Sequence, residues 1–143
     1  GRTVHSLGYF MQQLGNKMIF ASPAELKMPE EITADLRSKG ADIVETDDVK
    51  AALAVSDLVY VTRVQRERFP DEESYNRCKG SYIVNNELLK AAKKDITILH
   101  PLPRVDEIAT EVDSYAGAAY FRQAHNGMYL RMALLGLVTG RLQ

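Results

Sequence analysis

Apolar positions along the chain keep two rhythms, and the rhythms alternate. Val4, Leu7, Phe10, Met11 and Leu14 recur at helical spacing, which predicts a helix over residues 2–14 that Gly15-Asn16 stops. Residues 17–21 form a short apolar run, read as a buried strand. Pro29-Glu30-Glu31 then opens a second helix, with proline at an early position and acids at the positive end of the dipole. Ile32, Ala34 and Leu36 are its expected inward face, and Lys39-Gly40 its end. Residues 41–45 make the next strand. Thr46-Asp47-Asp48 caps a short helix to about Val55, and residues 57–61 make a third strand. A polar stretch, 62–80, carries Arg63, Gln65, Arg66 and Arg68, a Phe69-Pro70 break and a short helix at 71–77. Residues 81–84 read equally as a fourth short strand or an apolar turn. Asn85-Asn86 caps a helix to Lys93, and 96–99 return to strand character. Beyond a proline loop, 110–116 are turn-like and 118–121 are open between a last short strand and none. A strong helix over 126–141 carries Met128, Leu130, Met132, Leu134, Leu135, Leu137 and Val138.

Strands alternating with helices predict a single α/β domain: three-layer αβα, with a mainly parallel, Rossmann-like sheet and right-handed connections. The last helix is apolar on more than one face. In so small a domain this points to docking on a neighbour. The chain also enters its first helix from Gly1-Arg2-Thr3 with no Met, so it is expected to be a domain of a longer protein.

Composition narrows the function without naming it. The chain has 143 residues and 45% hydrophobic content, enough for one real core. Its 18 Lys+Arg against 19 Asp+Glu leave no basic field for nucleic acid and no polybasic patch for a membrane. No apolar run approaches the ~20 residues of a spanning helix. The lone Cys78 excludes an internal disulfide and a cysteine-built metal site, and fits a reducing, cytoplasmic setting.

Candidate chemistry sits where α/β folds bind ligands, at the C-terminal ends of strands. After the third predicted strand come Thr62-Arg63-Val64-Gln65-Arg66-Glu67-Arg68. Arg63 offers a planar fork to a carboxylate, and Gln65 offers a donor and an acceptor. A solvated charged loop accounts better for Arg66 and Arg68. After the strand at 96–99 comes His100-Pro101-Leu102-Pro103-Arg104-Val105-Asp106-Glu107-Ile108, where two prolines fix φ and remove donors. On the plainer view this is a structural turn, with His100 a satisfied loop histidine and Arg104 paired to Asp106 or Glu107. His5 and His125 are too distant in sequence to give His100 metal-ligand spacing. No nucleophile motif and no dinucleotide fingerprint appears. The third cluster, Gly1-Arg2-Thr3-Val4-His5-Ser6, lies at a helix start, where anions are favoured. The residues alone suggest a small dianionic ligand and no particular reaction.

Together these stretches closely resemble the aspartate-binding domain of the aspartate transcarbamoylase family. The matching pieces are residues 1–6, Thr62 to Phe69, His100 to Ile108, and Ala119-Tyr120-Phe121-Arg122-Gln123-Ala124-His125-Asn126-Gly127-Met128-Tyr129. Ornithine transcarbamoylases usually place Cys where Pro101 stands. The resemblance implies transfer of the carbamoyl group from carbamoyl phosphate to L-aspartate in pyrimidine synthesis, with no metal or organic cofactor. It implies that Arg2 binds the α-carboxylate and Arg63 the side-chain carboxylate, with Gln65 orienting the latter. Leu102 and Pro103 would offer carbonyls to the carbamoyl amino group. His100, Arg104 and Glu107 would brace the loop, and residues from about 66 to 80 would close over aspartate. No residue of this chain is assigned the bond-making step. The family's Ser-Thr-Arg-Thr phosphate motif is not in this sequence, so the isolated chain is expected not to catalyse. The implied partners are the carbamoyl-phosphate domain, two further catalytic chains in a homotrimer, and, in some members, regulatory chains. The competing expectations are an ornithine-type or other transcarbamoylase domain and a non-catalytic α/β amino-acid-binding module. A receiver domain would carry an aspartate where Thr62-Arg63 stand.

Overall fold

The structure, a computed structural model, describes residues 2–64, 66, 69–78 and 82–141, with only the backbone of Arg2 and Arg77. In chain order it runs α1 (Arg2–Gln13), β1 (Met18–Ala21), α2 (Glu30–Ser38), β2 (Ile43–Thr46), α3 (Val49–Val55), β3 (Leu58–Tyr60), α4 (Glu72–Cys78), α5 (Asn86–Leu89), β4 (Thr97–Leu99) and α6 (Tyr120–Val138). Short 3-10 turns occupy Ala24–Leu26 and Thr110–Ser114.

Local signals set most boundaries. α1 closes with Asn16 N–H donating to Met11 O at 3.0 Å and Gly15 N–H to Gln12 O at 2.9 Å. Gly15 takes φ 70 there, a left-handed conformation that costs a glycine little. Asp48 caps α3 by accepting Ala51 N–H at 2.9 Å, and Asn85 caps α5 by accepting Leu88 N–H at 2.8 Å. α2 carries Glu30 and Glu31 in its first turn and packs beside α1, where Gln12 Nε2 donates to Lys39 O at 2.8 Å.

All strand pairs are parallel, as the alternation predicted. The ladders join them as two pairs, β1 with β2 (Met18 opposite Ile43) and β3 with β4 (Leu58 opposite Thr97). Ile98 also bridges Ala118 on its other side, and Val84 bridges Ile108. Val84, Ile98, Ile108, Val112 and Tyr120 form one buried cluster, and half-buried Val59, Val61 and Leu102 pack against it. The core therefore lies under the loop that leaves β4. Gly117 belongs to this arrangement: a Cβ there would stand 2.0 Å from Ile96 O and 2.6 Å from the Tyr115 ring. That approach lets Ile98 N–H reach Gly117 O at 2.8 Å.

The structure corrects the pattern in places. The buried pair on α2 is Thr33 and Leu36, and Ala34 is exposed. Thr33 satisfies its hydroxyl by donating to Glu30 O at 3.1 Å, so a polar residue fills a core position without penalty. The helix expected to reach Lys93 ends at Leu89. α6 starts at Tyr120, six residues before the predicted 126. Ala118 alone takes the strand alternative, and Tyr120 and Phe121 are the first helical turn. Most apolar residues of α6 face outward, with Leu130 63% and Val138 85% exposed. No helix among the described residues is long and apolar enough to cross a membrane.

Substituting Gly117→Ala should destabilise the fold by about 3 kcal/mol, because backbone rather than a flexible side chain blocks the new methyl. Chemical denaturation measures it, and an unchanged midpoint would contradict the close packing.

Candidate functional site

β4 delivers the chain to His100, and the loop that follows has no ladder to hold it. Side chains hold it instead. His100 is 1% exposed and Glu107 5%. The imidazole Nδ1 accepts the Leu102 N–H at 2.8 Å, so its proton belongs on Nε2, which donates to Glu107 Oε1 at 2.7 Å. Glu107 Oε2 accepts the N–H groups of Val105 at 3.1 Å and Asp106 at 3.2 Å. His100 N–H in turn donates to Gln123 Oε1 on α6 at 3.0 Å. Burial pushes the Glu107 carboxyl up, but the backbone N–H groups and then His100 outweigh it and leave it below its ordinary value. Among the described residues no buried side-chain polar atom lacks a partner.

Within this frame the Leu102-Pro103 peptide is cis and Leu102 sits at φ 52. A non-glycine residue in that region costs roughly 1–2 kcal/mol, which the surrounding hydrogen bonds must offset. A residue held off its preferred backbone conformation between two fixed groups presents its carbonyl in one direction.

Arg104 does not pair with Asp106 or Glu107. Glu107 already accepts from His100 and two backbone groups. The guanidinium instead forks onto Asp113, with Nη1 on Oδ1 and Nη2 on Oδ2 at 2.7 Å. Tyr120 donates its hydroxyl to Asp113 Oδ1 and accepts from Arg104 Nη1 at 3.2 Å. The Arg104 cation also lies 5.5 Å from the Tyr120 ring centre and 5.7 Å from that of Phe121. Burial, then the Asp113 carboxylate, pushes the Tyr120 hydroxyl up to about 12. Arg104 first, then Tyr120, holds the Asp113 carboxyl below its usual range. This cluster ties the loop to the 3-10 turn and to α6.

Arg63 is exposed, three residues beyond Tyr60, just as Leu102 is three beyond Leu99. Tyr60 and Leu99 are register partners in parallel strands, and Val61 N–H continues the ladder to Leu99 O at 2.9 Å. Both segments therefore leave the same edge of the sheet, side by side. Gln65 and the Arg2 side chain lie outside the described residues; the Arg2 backbone opens α1. The stretch from 66 to 80 is described in part, as Arg66, residues 69–71 and α4. Arg66 makes an exposed pair with Glu72 at 3.3 Å, in keeping with the charged-surface account. Sequence reasoning missed Gln123, Asp113 and Tyr120. Gln123 and Tyr120 sit inside the motif at 119–129, which marked the segment without giving these residues a task.

The chain matches the family model of the Asp/Orn-binding domain of aspartate/ornithine carbamoyltransferases over residues 1–138. It is 51% identical over 142 residues to the aspartate carbamoyltransferase catalytic subunit of Thermococcus kodakarensis, covering 99% of this chain and 46% of that protein. The Haloquadratum walsbyi catalytic subunit is 49% identical over 141 residues, again with 46% of its length covered. Among solved structures, the catalytic subunit of M. jannaschii aspartate transcarbamoylase superposes with a TM-score of 0.87 at 43% identity, covering 98% of this chain and 46% of that one. The Trypanosoma cruzi aspartate transcarbamoylase in complex with N-(phosphonacetyl)-L-aspartic acid gives 0.83 at 36% identity, covering 94% and 44%. The chain thus spans about half the length of these relatives.

Two measurements test the loop's bracing. Glu107 has a lowered carboxyl, so its contribution to stability is full above the ordinary 4.5 and is lost as pH falls below that value. The stability gap between the unsubstituted protein and Glu107→Gln should therefore be constant above pH 4.5 and narrow on acidification; a gap that widens toward low pH would contradict it. Asp113→Ala should lower the midpoint of chemical denaturation, since it removes the carboxylate shared by the Arg104 guanidinium and the Tyr120 hydroxyl. A loss within error of zero would reduce the cluster to a surface pair.

Proposed function

Since the chain belongs to the aspartate/ornithine carbamoyltransferase family through its Asp/Orn-binding domain, we propose that it is the aspartate-binding half of an aspartate carbamoyltransferase. One observation carries this at the level of chemistry. An exposed guanidinium fork, Arg63, and a braced loop, 100–107, leave adjacent parallel strands at the same edge. Aspartate has two carboxylates. Arg63 takes the side-chain carboxylate and Arg2, at the start of α1, takes the α-carboxylate, with Gln65 orienting the former. Two separated guanidinium forks select a dianion over a monoanionic amino acid. Selectivity for aspartate over ornithine follows, because ornithine would bring an ammonium to Arg63.

The Leu102 and Pro103 carbonyls accept the two N–H bonds of the carbamoyl amino group. That contact holds the carbamoyl plane fixed while the aspartate amine attacks its carbon. A C–N bond forms, the C–O bond to phosphate breaks, phosphate leaves with the bond electrons, and the amine loses a proton. N-carbamoyl-L-aspartate and phosphate result. Positioning and charge stabilisation supply the acceleration, and nothing in the step calls for a metal or organic cofactor. The groups that bind the phosphate belong to the other half of the protein. The outward apolar face of α6, 126–138, docks on that half, and the complete enzyme is a cytoplasmic homotrimer of catalytic chains.

In the full-length enzyme, Arg63→Ala should raise the KM for aspartate by about 10- to 100-fold, the worth of one charge-assisted fork, while the KM for carbamoyl phosphate moves little. Unchanged aspartate kinetics would reject the clamp. The 143-residue chain alone should form no carbamoyl aspartate.

A further inference from the structure

Every polar atom of the His100 ring is engaged, and the engagement is asymmetric. Nδ1 can accept the Leu102 N–H only as a bare lone pair, and Nε2 can donate to Glu107 only as N–H. Glu107 enforces the second condition, because its other oxygen is occupied by the N–H groups of Val105 and Asp106 and it has no proton to offer. The loop's two ends are thereby joined through one imidazole of fixed tautomer. Leu102, at φ 52, is the residue whose orientation depends on it. Among the described residues, neither the Leu102 carbonyl nor that of Pro103 accepts a backbone hydrogen bond, the strand having ended at Leu99.

We infer that His100 is a positioning residue: its neutral Nε2–H tautomer, imposed by Glu107, aims the Leu102–Pro103 carbonyls at the carbamoyl amino group. The inference rests on the proposed carbamoyl transfer and adds to it a residue that touches no substrate. Its distinguishing consequence is that the acceptor at Nδ1 matters more to turnover than the hydrogen bond to Glu107 does. A residue that merely fills the core would show no such preference.

Two substitutions in the full-length enzyme separate the ring's functions. His100→Asn places a carbonyl oxygen near the Nδ1 position and abandons Glu107. His100→Gln places a donor near Nε2, keeps Glu107 and abandons the Leu102 N–H. Positioning predicts that kcat of H100N exceeds that of H100Q by about tenfold, with the KM for aspartate similar in both, because the Arg forks are untouched. Equal kcat values, or a faster H100Q, would overturn the inference while leaving the function intact. An unsubstituted enzyme that makes no carbamoyl aspartate would instead overturn the function. Nitrogen-15 spectra of the folded unsubstituted enzyme provide a readout that needs no variant to fold. They should show the His100 proton on Nε2 with Nδ1 bare, and a ring protonated on Nδ1 would overturn the inference.

Discussion

The hydrogen bonds that the buried His100 ring makes, from Leu102 N–H and to Glu107, are the contacts on which the loop after β4 depends. Burying a carboxylate is costly unless its lone pairs are filled, and here the filling groups belong to the loop itself. Desolvation and loop order are therefore coupled. If the loop loosens, Glu107 loses acceptor bonds in a buried place; if Glu107 is removed, Val105 and Asp106 lose the group that satisfies their N–H. The pair is buried and flanked in sequence by Ile98 and Ile108 of the core cluster, so the anchor of the loop is continuous with the core along the chain. Arg104 adds a second tether to the 3-10 turn and α6, built on different residues.

The sequence revealed what depends on neighbours a few residues apart. The Gly15 stop, the Asp48 and Asn85 caps and the short apolar runs of β1, β3 and β4 are local devices, and each appears within a residue or two of its expected place. Pairings across distance were not legible. Arg104 had two acids within three residues, yet its partner is nine residues away because Glu107 was already saturated. His100 and Glu107 are seven apart through a loop with no period, so no pattern joins them. In sequence, residues 118–121 are open between a short strand and none; the structure puts Tyr120 and Phe121 in the first turn of α6, with Tyr120 buried and its hydroxyl donating to Asp113. Of the candidate site, Arg63 and the proline loop were visible as motifs at strand ends, and their juxtaposition required the β3–β4 register.

In the proposed site the two walls differ in how they are held. The hydrogen bonds of His100 and Glu107 that brace the proline loop all lie within this domain. Arg63 is an exposed side chain just beyond the neighbouring strand. This division would suit a site shared between two halves of a protein. A wall braced by one half requires nothing from the other to reach its working geometry, so domain approach need only bring the reacting groups together. Were the carbonyl wall unbraced, the entropy of ordering two backbone acceptors would fall on the reacting step itself, where positioning contributes most.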